Sequence, residues 1–480
     1  MSSPAPLAFP LVPPPDPVET YARLASYPYP ILLDSAERGP RGRYSYAAAD
    51  PVTVVRSRGS VTEQLEAGRW RAVPGDALSA ASAAMGSTRD AVSLLPPFQG
   101  GAAGYVGYDW GATLERIPAA VYDDLGLPDV LLSVYDAIVA WDHEQGTAWI
   151  VSSGIGGRHA GERLAWMRGA LARDAGAGAH RETASSSPAP HPQPPAPPTW
   201  PVPSFAAQGV RSTFAPDDYR SAVSNIVEYI LAGDAFQVNL SQRFEIHVAE
   251  SPLALYRRLR NRHPASFSAI FDAGTFSILS ASPERFLQLH GRRVETRPIK
   301  GTRPRGATPD EDAALEAALA GSAKDRAENV MIVDLLRNDL SRVCEPGTVE
   351  VTELCVAERH PTVHHLVSTV VGTMEQGIGA VELLRATFPG GSITGAPKIR
   401  AMEIIAELEP TRRGVYCGAI GYLSVTGAMD TSIAIRTAII RDGVAYVSAG
   451  GGVTAESDPA AEYDETLAKA RGILDALAGA

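Results

Sequence analysis

The chain has 480 residues, of which 45% are hydrophobic and 20% charged, a composition typical of folded rather than disordered proteins. Its formal net charge of -11 leaves no basic excess for a nucleic-acid backbone, so we expect no nucleic-acid partner. Apolar runs such as 130–141 fall short of the roughly 20 residues that cross a bilayer, and the start lacks a charged head before an apolar core. We therefore expect neither a membrane span nor a secretory signal.

Short strand-like runs alternate with turn residues in the first part of the chain, at 30–33, 52–55, 130–135 and 148–151, and one helix is predicted at 158–173. Prolines then become dense between 187 and 204, where they remove backbone donors and fix φ. We therefore predict a linker or surface insert at 186–205, which separates a companion domain at 1–185 from a second domain at 206–480.

The second domain shows a clearer pattern of helices and strands. Helices are predicted at 216–232, 252–261, 324–342, 380–387 and 459–477, and strands at 276–279, 418–424, 431–440 and 445–448. Helices interrupt the strands irregularly, which indicates an α+β fold of layered antiparallel β-sheets with surrounding helices rather than a regular βαβ winding.

The three cysteines, Cys344, Cys355 and Cys417, form no CxxC pair and cannot all pair with one another. This pattern is typical of reduced thiols in a cytosolic protein, and the simplest interpretation is that they are small buried hydrophobic residues. We therefore expect a cytoplasmic location.

The first of two acidic pairs opens the third helix predicted in the second domain. Asp325 and Glu328 are three residues apart and so lie on one face of that helix, which is apolar nearly all round. Buried carboxylates need a partner, and two kinds of partner remain possible. One is an ion pair with Lys324, Arg326 or Arg337, and the other is a hard cation such as Mg²⁺.

The second acidic pair lies in the last predicted helix, which follows a capping Asp458 and a proline. At about 100° per residue, Glu462, Glu465 and Lys469 share one face, while apolar residues gather on the other side. One interpretation is a solvated face. The other is that two helices with the same acidic spacing jointly hold one metal ion.

Two glycine-containing segments add candidate binding groups. The basic segment RPIKGTRPRG at 297–306 predicts a loop, and a desolvated Lys300 within it would lose its proton and become a nucleophile, although a solvated turn or a phosphate loop fits as well. Gly450, Gly451 and Gly452 follow a predicted strand and fit either a close backbone approach to an anion or a tight turn. They lack the spacing of a dinucleotide site.

Eight separated blocks resemble one known family, the chorismate-binding enzymes, which include aminodeoxychorismate synthases and anthranilate synthases. The blocks cover essentially all of 206–480 in the family's order. They are FQVNLSQRF (236–244), SPERF (282–286), RPIKGTRPRG (297–306), KDRAENVMIVDLLRNDL (324–340), FPGGSITGAPKIRAMEII (388–405), YCGAIGY (416–422), AIRTA (434–438) and SAGGGVTAESDPAAEYDET (448–466).

The resemblance implies a magnesium site and a general acid. Glu328 and Glu465 match the family's magnesium ligands, and Asp325 and Glu462 match its second acidic positions. Magnesium would bind the ring carboxylate of chorismate and fix the ring. Glu284 matches the general acid that protonates the departing 4-hydroxyl group.

The resemblance also implies a set of groups that bind the substrate, most of them its carboxylates. The matching residues are Tyr416, Arg436, Lys469, the amides of Gly450, Gly451 and Gly452, the active-site histidine His365, and Ser392, where the anthranilate enzymes carry threonine.

Two positions select among members of the family. Relatives that add water carry a lysine base where this chain has Gln237, so water is not the expected nucleophile. In anthranilate synthases this segment resembles PIAGT, whereas this chain has PIKGT. The lysine is a covalent nucleophile in the aminodeoxychorismate synthases, so Lys300 favours the activity of the aminodeoxychorismate synthases. That activity is the amination of chorismate at C4, giving 4-amino-4-deoxychorismate for p-aminobenzoate and folate. Anthranilate synthesis is the alternative.

The N-terminal region resembles the family's companion domain, in which Leu33, Asp34 and Ser35 lie where relatives bind tryptophan. No second block resembles a cysteine–histidine amidotransferase, so we expect a separate glutamine amidotransferase subunit to supply ammonia. A third interpretation is a non-catalytic, tryptophan-binding paralogue. It predicts loss of the acid and metal residues, whereas Glu284 and Glu328 are present.

Overall fold

A computed structural model describes residues 5–39, 41–173, 195–361 and 363–479 of the chain. No helix in these ranges is both long and apolar enough to cross a membrane. The strands are β1 (Leu7–Pro10), β2 (Ile31–Asp34), β3 (Tyr44–Ala48), β4 (Thr53–Arg58), β5 (Val61–Glu66), β6 (Arg69–Ala72), β7 (Gly101–Val106), β8 (Val130–Tyr135), β9 (Ala137–Asp142), β10 (Thr147–Ser152), β11 (Trp200–Pro201), β12 (Arg211–Ser212), β13 (Gln237–His247), β14 (Phe267–Asp272), β15 (Ser277–Ser282), β16 (Arg285–His290), β17 (Arg293–Thr296), β18 (Ile299–Pro304), β19 (Glu350–Arg359), β20 (Val363–Thr373), β21 (Gly395–Ala396), β22 (Ala419–Ser424), β23 (Met429–Ile433), β24 (Thr437–Arg441) and β25 (Val444–Val453). The helices are α1 (Pro17–Leu24), α2 (Ala77–Met85), α3 (Gly111–Leu114), α4 (Ala160–Ala172), α5 (Pro216–Leu231), α6 (Pro252–Arg262), α7 (Pro309–Ala320), α8 (Ala323–Ser341), α9 (Ala380–Thr387), α10 (Lys398–Leu408) and α11 (Pro459–Ala478).

The helices that carry the acidic residues begin at caps that are visible in the sequence. The Ser322 hydroxyl accepts a hydrogen bond from the backbone N–H of Asp325 at the start of α8. The Asp458 carboxylate does the same for Ala461 at the start of α11, where Pro459 occupies the first turn. The helices predicted at 324–342, 380–387 and 459–477 accordingly agree with α8, α9 and α11 to within one residue.

The strands form two large antiparallel sheets. The 13-stranded first sheet has the order β1-β10-β9-β3-β2-β14-β15-β24-β25-β13-β12-β11, with β21 beside β13. The 12-stranded second sheet has the order β18-β20-β17-β16-β23-β22-β7-β8-β4-β5-β6, with β19 beside β20.

The sheets pack against each other and carry helices on their outer faces. In β9, Ile138 and Ala140 belong to a buried cluster drawn from both sheets, whereas Val139 and Trp141 belong to a cluster that includes helix residues. Alternate side chains of a strand point to opposite faces, so each sheet has one face toward the other sheet and one toward helices. This layered α+β arrangement confirms the predicted fold class.

Both sheets combine strands from before and after the proline-rich segment. In the first sheet Leu33 of β2 lies opposite Ala269 of β14, and in the second Ala103 of β7 lies opposite Tyr422 of β22. Of the linker predicted at 186–205, residues 186–194 lie outside the described residues, and β11 lies in the remainder. The division into domains at this segment stays a prediction.

Two predicted elements differ from the structure because their partners are distant in sequence. The strand predicted at 431–440 is two strands in different sheets, β23 and β24, and the chain crosses between the sheets at Arg436, whose φ is +49°. The loop predicted at 297–306 contains β18, which pairs with β20, where Thr302 lies opposite His365. A tight turn at Gly450, Gly451 and Gly452 is also wrong, because all three lie inside β25.

Candidate active site

The candidate site lies where two neighbouring strands of the first sheet separate. β24 and β25 pair only as far as Ala438 and Val447, and β24 is preceded by the crossover at Arg436. Beyond that point β25 pairs, among the described residues, only with β13, so Gly450, Gly451 and Gly452 have one free edge there. A free edge exposes backbone amides, which is what the predicted carboxylate contacts require.

The glycines of β25 lie close to the acidic residues of α11. A Cβ atom on Gly451 would lie 3.1 Å from a carboxylate oxygen of Glu462 and 3.3 Å from one of Glu465. Glu462 is buried and accepts a hydrogen bond of 2.6 Å from the Ser457 hydroxyl, and Lys469 donates to the carbonyl oxygen of Gly450 at 2.9 Å. The charged face predicted for this helix is therefore turned toward β25, with Glu462 enclosed.

The acidic residues of α8 and α11 interact electrostatically. Burial raises the pKa of Glu328 and the nearby Glu465 raises it further, while Lys300 and Lys324 oppose the shift. Burial alone would raise the pKa of Glu465 as well, but its ion pair of 2.6 Å with Lys469 outweighs burial and lowers that pKa. The structure therefore brings together the two glutamates that the resemblance assigned to magnesium.

Asp325 has a partner that was not among those predicted from the sequence. The Arg303 guanidinium donates to its carboxylate at 2.8 Å, which joins β18 to the first turn of α8. Arg337, one of the partners considered, pairs instead with Asp334. Asp325 is thus already neutralised by an arginine, whereas the described residues show charge effects of Lys300 and Lys324 on Glu328 but no ion pair with it.

The donor set suits a magnesium ion chemically. Glu328, Glu462 and Glu465 offer carboxylate oxygens, the ligand type that Mg²⁺ prefers, and Gly451 leaves the space beside two of them open. Within the described residues no three acidic, cysteine or histidine side chains already stand in a metal-binding arrangement.

Lys300 lies half-buried on β18, among the acidic residues of the site. Burial lowers the pKa of its ammonium group and Lys469 lowers it further, while Glu328 and Glu284 oppose the shift. Arg297 pairs with two glutamates of β19 and Arg305 with an aspartate of α7, and the cation that contributes to the lowering is Lys469.

Glu284 lies buried between β15 and β16, near Lys300. Burial raises the pKa of its carboxyl group to about 7, although a hydrogen bond with the Ser392 side chain, the charge of Lys300 and the backbone N–H of Ile299 all act to lower it. A carboxyl group with this pKa is protonated in part near neutral pH and can donate a proton to a leaving group.

His365 and Arg436 face each other on another side of the site. Burial lowers the pKa of His365 to about 3, and Arg436 contributes to the shift, so the imidazole is neutral near pH 7. Its Nδ1 atom lies 2.9 Å from the Thr302 hydroxyl. Burial alone lowers the pKa of Arg436, and no carboxylate among the described residues pairs with it. A half-buried, unpaired guanidinium is well suited to bind a substrate carboxylate.

Two further residues complete the lining. Tyr416 is buried beside Cys417, and burial raises the pKa of its hydroxyl. Gln237 is fully buried, and both polar atoms of its amide lack a hydrogen-bond partner among the described residues. A Cβ atom on Gly452 would lie 2.0 Å from the Gln237 nitrogen, so a larger residue there would displace the Gln237 side chain.

Leu33, Asp34 and Ser35 lie away from this site, in a cavity of about 270 Å³ between the two sheets. Tyr44 and Tyr422 belong to its aromatic wall. The Asp34 carboxylate is 2.5 Å from the Arg260 guanidinium and also accepts from the Tyr256 and Ser45 hydroxyls. The three residues thus border a cavity of about the size of an amino acid, as their match in the family implies.

The contacts that sequence reasoning missed are those between distant segments. The Thr302 hydroxyl reaches His365, and Arg303 reaches Asp325, although both lie in the basic segment that was singled out. Lys324 acts on the glutamates of α11 as well as on Glu328. The high density of charged residues in the basic segment was a signal in the sequence, but the partners of those residues could not be assigned without the sheet register.

The sequence of the whole chain matches known proteins. A family model described as chorismate binding enzyme matches residues 30–475. An aminodeoxychorismate synthase component 1 of Klebsiella aerogenes is 41% identical over 99% of this chain and 100% of its own length. An anthranilate synthase component 1 of Mycolicibacterium smegmatis is 41% identical over 97% of this chain and 88% of its own length.

A solved structure of a similar protein has the same fold. Anthranilate synthase component I from Streptococcus pneumoniae superposes with a TM-score of 0.75 at 33% identity, over 91% of this chain and 93% of that chain. Sequence, fold and the arrangement of acidic helices agree, and the chain belongs to the chorismate-binding enzyme family.

Proposed function

We propose that this chain is the synthase component that aminates chorismate at C4 and so forms 4-amino-4-deoxychorismate, the precursor of p-aminobenzoate and folate. Relatives named for this activity and relatives named for anthranilate synthesis match it at the same identity, so overall similarity does not choose between them. The observation that carries the choice is a half-buried Lys300 whose pKa is lowered beside the acid Glu284.

In the proposed reaction Lys300 acts as a covalent nucleophile. Its neutral amine attacks C2, the ring double bond shifts, and the C4–O bond breaks while Glu284 gives its proton to the departing hydroxyl group, which leaves as water. Ammonia then attacks C4, the double bond shifts back, and the C2–N bond breaks to release neutral Lys300. The ammonium group formed at C4 returns a proton to Glu284. Two allylic displacements replace one difficult substitution.

The remaining groups of the site would hold the two carboxylates of the substrate. Arg436 offers an unpaired guanidinium, and the free edge at Gly450 and Gly451 offers backbone amides. Glu328 and Glu465 would hold Mg²⁺, which supplies positive charge for the ring carboxylate. Without that charge the glutamates and a dianionic substrate would repel each other.

Ammonia rather than water is the proposed nucleophile at C4. The position that carries a lysine base in water-adding relatives is Gln237, whose amide cannot remove a proton from water near neutral pH. We further propose that a separate glutamine amidotransferase supplies the ammonia, since the relatives named above are components 1. Cys344, Cys355 and Cys417 are buried free thiols, which suits structural residues in a reducing cytoplasm.

Product identification tests the proposal. The purified chain, chorismate, Mg²⁺ and an ammonium salt should give 4-amino-4-deoxychorismate by mass spectrometry, without the fluorescence of anthranilate, and glutamine should not replace ammonium. Lys300→Ala should lose nearly all of this product, while Lys324→Ala, which removes a lysine outside the covalent step, should retain the same product. Anthranilate from the parent chain, or a parental rate with Lys300→Ala at saturating ammonia, would overturn the proposal.

A second candidate function concerns the cavity between the sheets. Its size and its aromatic and hydroxyl-bearing lining support tryptophan as its ligand, with Leu33, Asp34 and Ser35 among the contacts. Isothermal titration with tryptophan should detect binding that Ser35→Trp abolishes by filling the space. Equal binding by the parent and by that variant would contradict this site.

A further inference from the structure

A buried ion pair lies behind the candidate active site, outside the residues matched to its chemistry. Glu409 and Arg413 are both buried and contact each other through two hydrogen bonds, of 2.9 Å from Nε and 2.6 Å from Nη2. The Arg413 guanidinium also lies 4.6 Å from the centroid of the Tyr108 ring. A buried pair of this kind contributes little net stability compared with apolar residues, so its contacts need another explanation.

The pair connects separate elements of the site. Arg413 donates to the carbonyl oxygen of Ile393 at 3.0 Å and to that of Asn239 at 2.8 Å. Ile393 directly follows Ser392, and the Asn239 side chain donates to the Ser392 carbonyl oxygen at 3.2 Å. The turn that presents Ser392 to Glu284 is therefore held by Arg413 both directly and through β13.

The same pair also holds β13 and the Tyr416 loop. Glu409 accepts 2.8 Å hydrogen bonds from the backbone N–H and the hydroxyl of Ser241, which lies opposite Gly450. The carbonyl oxygen of Arg413 accepts a hydrogen bond of 3.1 Å from the backbone N–H of Tyr416. This ion pair thus contacts the turn of Ser392 beside the general acid, strand β13 behind the glycines, and the loop that carries the proposed carboxylate-binding Tyr416.

We propose that Arg413, oriented by Glu409, is a positioning residue of the reaction, which sets Ser392, β13 and Tyr416 in the arrangement that the substrate requires. This inference rests on the proposed function. The hydrogen bonds of the Arg413 side chain go to Glu409, Ile393 and Asn239, so its proposed role is to position other groups rather than to contact the reacting atoms. Its role depends on the planar, forked guanidinium, which can serve Glu409, Ile393 and Asn239 together, whereas a lysine ammonium cannot reach all three in one plane.

The test compares Arg413→Lys with Arg412→Lys in the full-length chain. Arg412 is the matched control, because it lies in the same segment but pairs with Asp109, Asp123 and Asp129 instead of Glu409. Arg413→Lys should lower kcat with chorismate and ammonia on the order of 100-fold, as misplacement by about 1 Å does, with a smaller change in KM. Arg412→Lys should lower the unfolding midpoint and leave kcat within about twofold of the parent.

The pH profile adds a measurement that stability alone would not change. Ser392 lowers the pKa of Glu284, which is also faced by Lys300 and the Cys417 thiol. If Ser392 moves away, the alkaline limb of the rate should shift to higher pH in Arg413→Lys but not in Arg412→Lys. Parental kcat with an unshifted limb in folded Arg413→Lys, or equal losses in both variants, would overturn the inference.

Two milder variants keep the inference testable if Arg413→Lys does not fold. Glu409→Gln retains the shape of the side chain but removes the charge that orients Arg413, and Ser241→Ala removes one of the contacts to Glu409. Both should lower kcat and shift the alkaline limb in the same direction, Glu409→Gln more strongly. Parental profiles in both would refute the positioning role. A parent chain that makes no 4-amino-4-deoxychorismate would instead refute the proposed function.

Discussion

The reaction site and the cavity between the sheets differ in how their charges are balanced. Around the cavity each charged group has a close partner: Asp34 is 2.5 Å from Arg260, and Arg285 is 3.1 Å from Asp430. In the reaction site Arg436 has no carboxylate partner among the described residues. Glu284 is likewise buried with a raised pKa, which burial causes despite its hydrogen bond to Ser392.

This difference indicates what each space can bind. A cavity whose own charges are satisfied favours a ligand with little net charge, because an added ion would find no free partner. A site with an unpaired guanidinium, clustered carboxylates and a destabilised ammonium group favours a ligand and a metal that supply the missing charges. In the reaction site burial shifts the pKa values of Lys300, Glu284 and Glu328 toward their uncharged forms.

Removal of Mg²⁺ is expected to have the largest effect, and only at the reaction site. Excess EDTA should abolish chorismate turnover, and Glu328→Gln should do the same in the presence of Mg²⁺, because the substrate would then meet uncompensated carboxylates. Mg²⁺ should also raise the unfolding midpoint of the parent but not of Glu328→Gln. Full turnover in EDTA would show that the acidic residues have no metal to hold.

Loss of the general acid Glu284 should have the second-largest effect on turnover. Glu284→Gln keeps the shape of the side chain but cannot donate the proton, so kcat should fall on the order of 1,000-fold. Glu295→Gln is the matched control, since Glu295 pairs with Arg285 on the cavity side. It should leave kcat near the parental value in the same assay. A variant Glu284→Gln that keeps more than about a tenth of kcat would exclude Glu284 as the acid.

The pH dependence of the rate should show a smaller, graded effect of Glu284 and Lys300. At a fixed concentration of free ammonia, the rate should fall about tenfold per unit as pH rises above about 7, because Glu284 loses its proton there. Protonation of Lys300 should also lower the rate, because only its neutral amine is a nucleophile, and burial lowers the pKa of this group. Ser392→Ala removes a hydrogen bond that favours the carboxylate, so the alkaline limb should move upward. A downward shift would contradict this arrangement.

A change in the cavity should affect stability and leave the chemistry almost unchanged. Asp34→Ala leaves Arg260 without its partner and should lower the free energy of unfolding by about 3 kcal/mol, measured by urea denaturation. Glu144→Ala, at an exposed ion pair with Arg43, should cost less than about 0.5 kcal/mol. The folded Asp34→Ala enzyme should retain kcat within about twofold at saturating substrate. A loss as large as that of Glu284→Gln would mean that the two regions are not separate.

Local features of the site could be predicted from the sequence because they follow helix geometry. Spacing by three residues placed Asp325 beside Glu328 and Glu462 beside Glu465, and the cap at Asp458 marked where α11 begins. That two helices bring Glu328 and Glu465 together was implied by the resemblance to the family, and the structure places them within electrostatic reach.

Features that depend on backbone handedness or strand register could not be predicted in this way. Arg436 lies in a run of alternating residues that reads as one strand, and its positive φ has no signature in residue type. The Arg303–Asp325 pair needs β18 beside α8, which follows from pairing with β20 some 60 residues later. Glu409 and Arg413 are four residues apart, as in a helix, yet they lie beyond the end of α10.

The shared sheets have a consequence for how the chain is made. When the ribosome has released residues 1–173, β2 and β7 each have one neighbour, β3 and β8, while their other neighbours, β14 and β22, have yet to be synthesised. β2 and β7, which lie inside the two completed sheets, therefore each have one unpaired edge at this stage. Such an edge can pair with other extended chains. A nascent or truncated N-terminal half should accordingly depend on chaperones and aggregate without them, until the last third of the polypeptide arrives to close both edges.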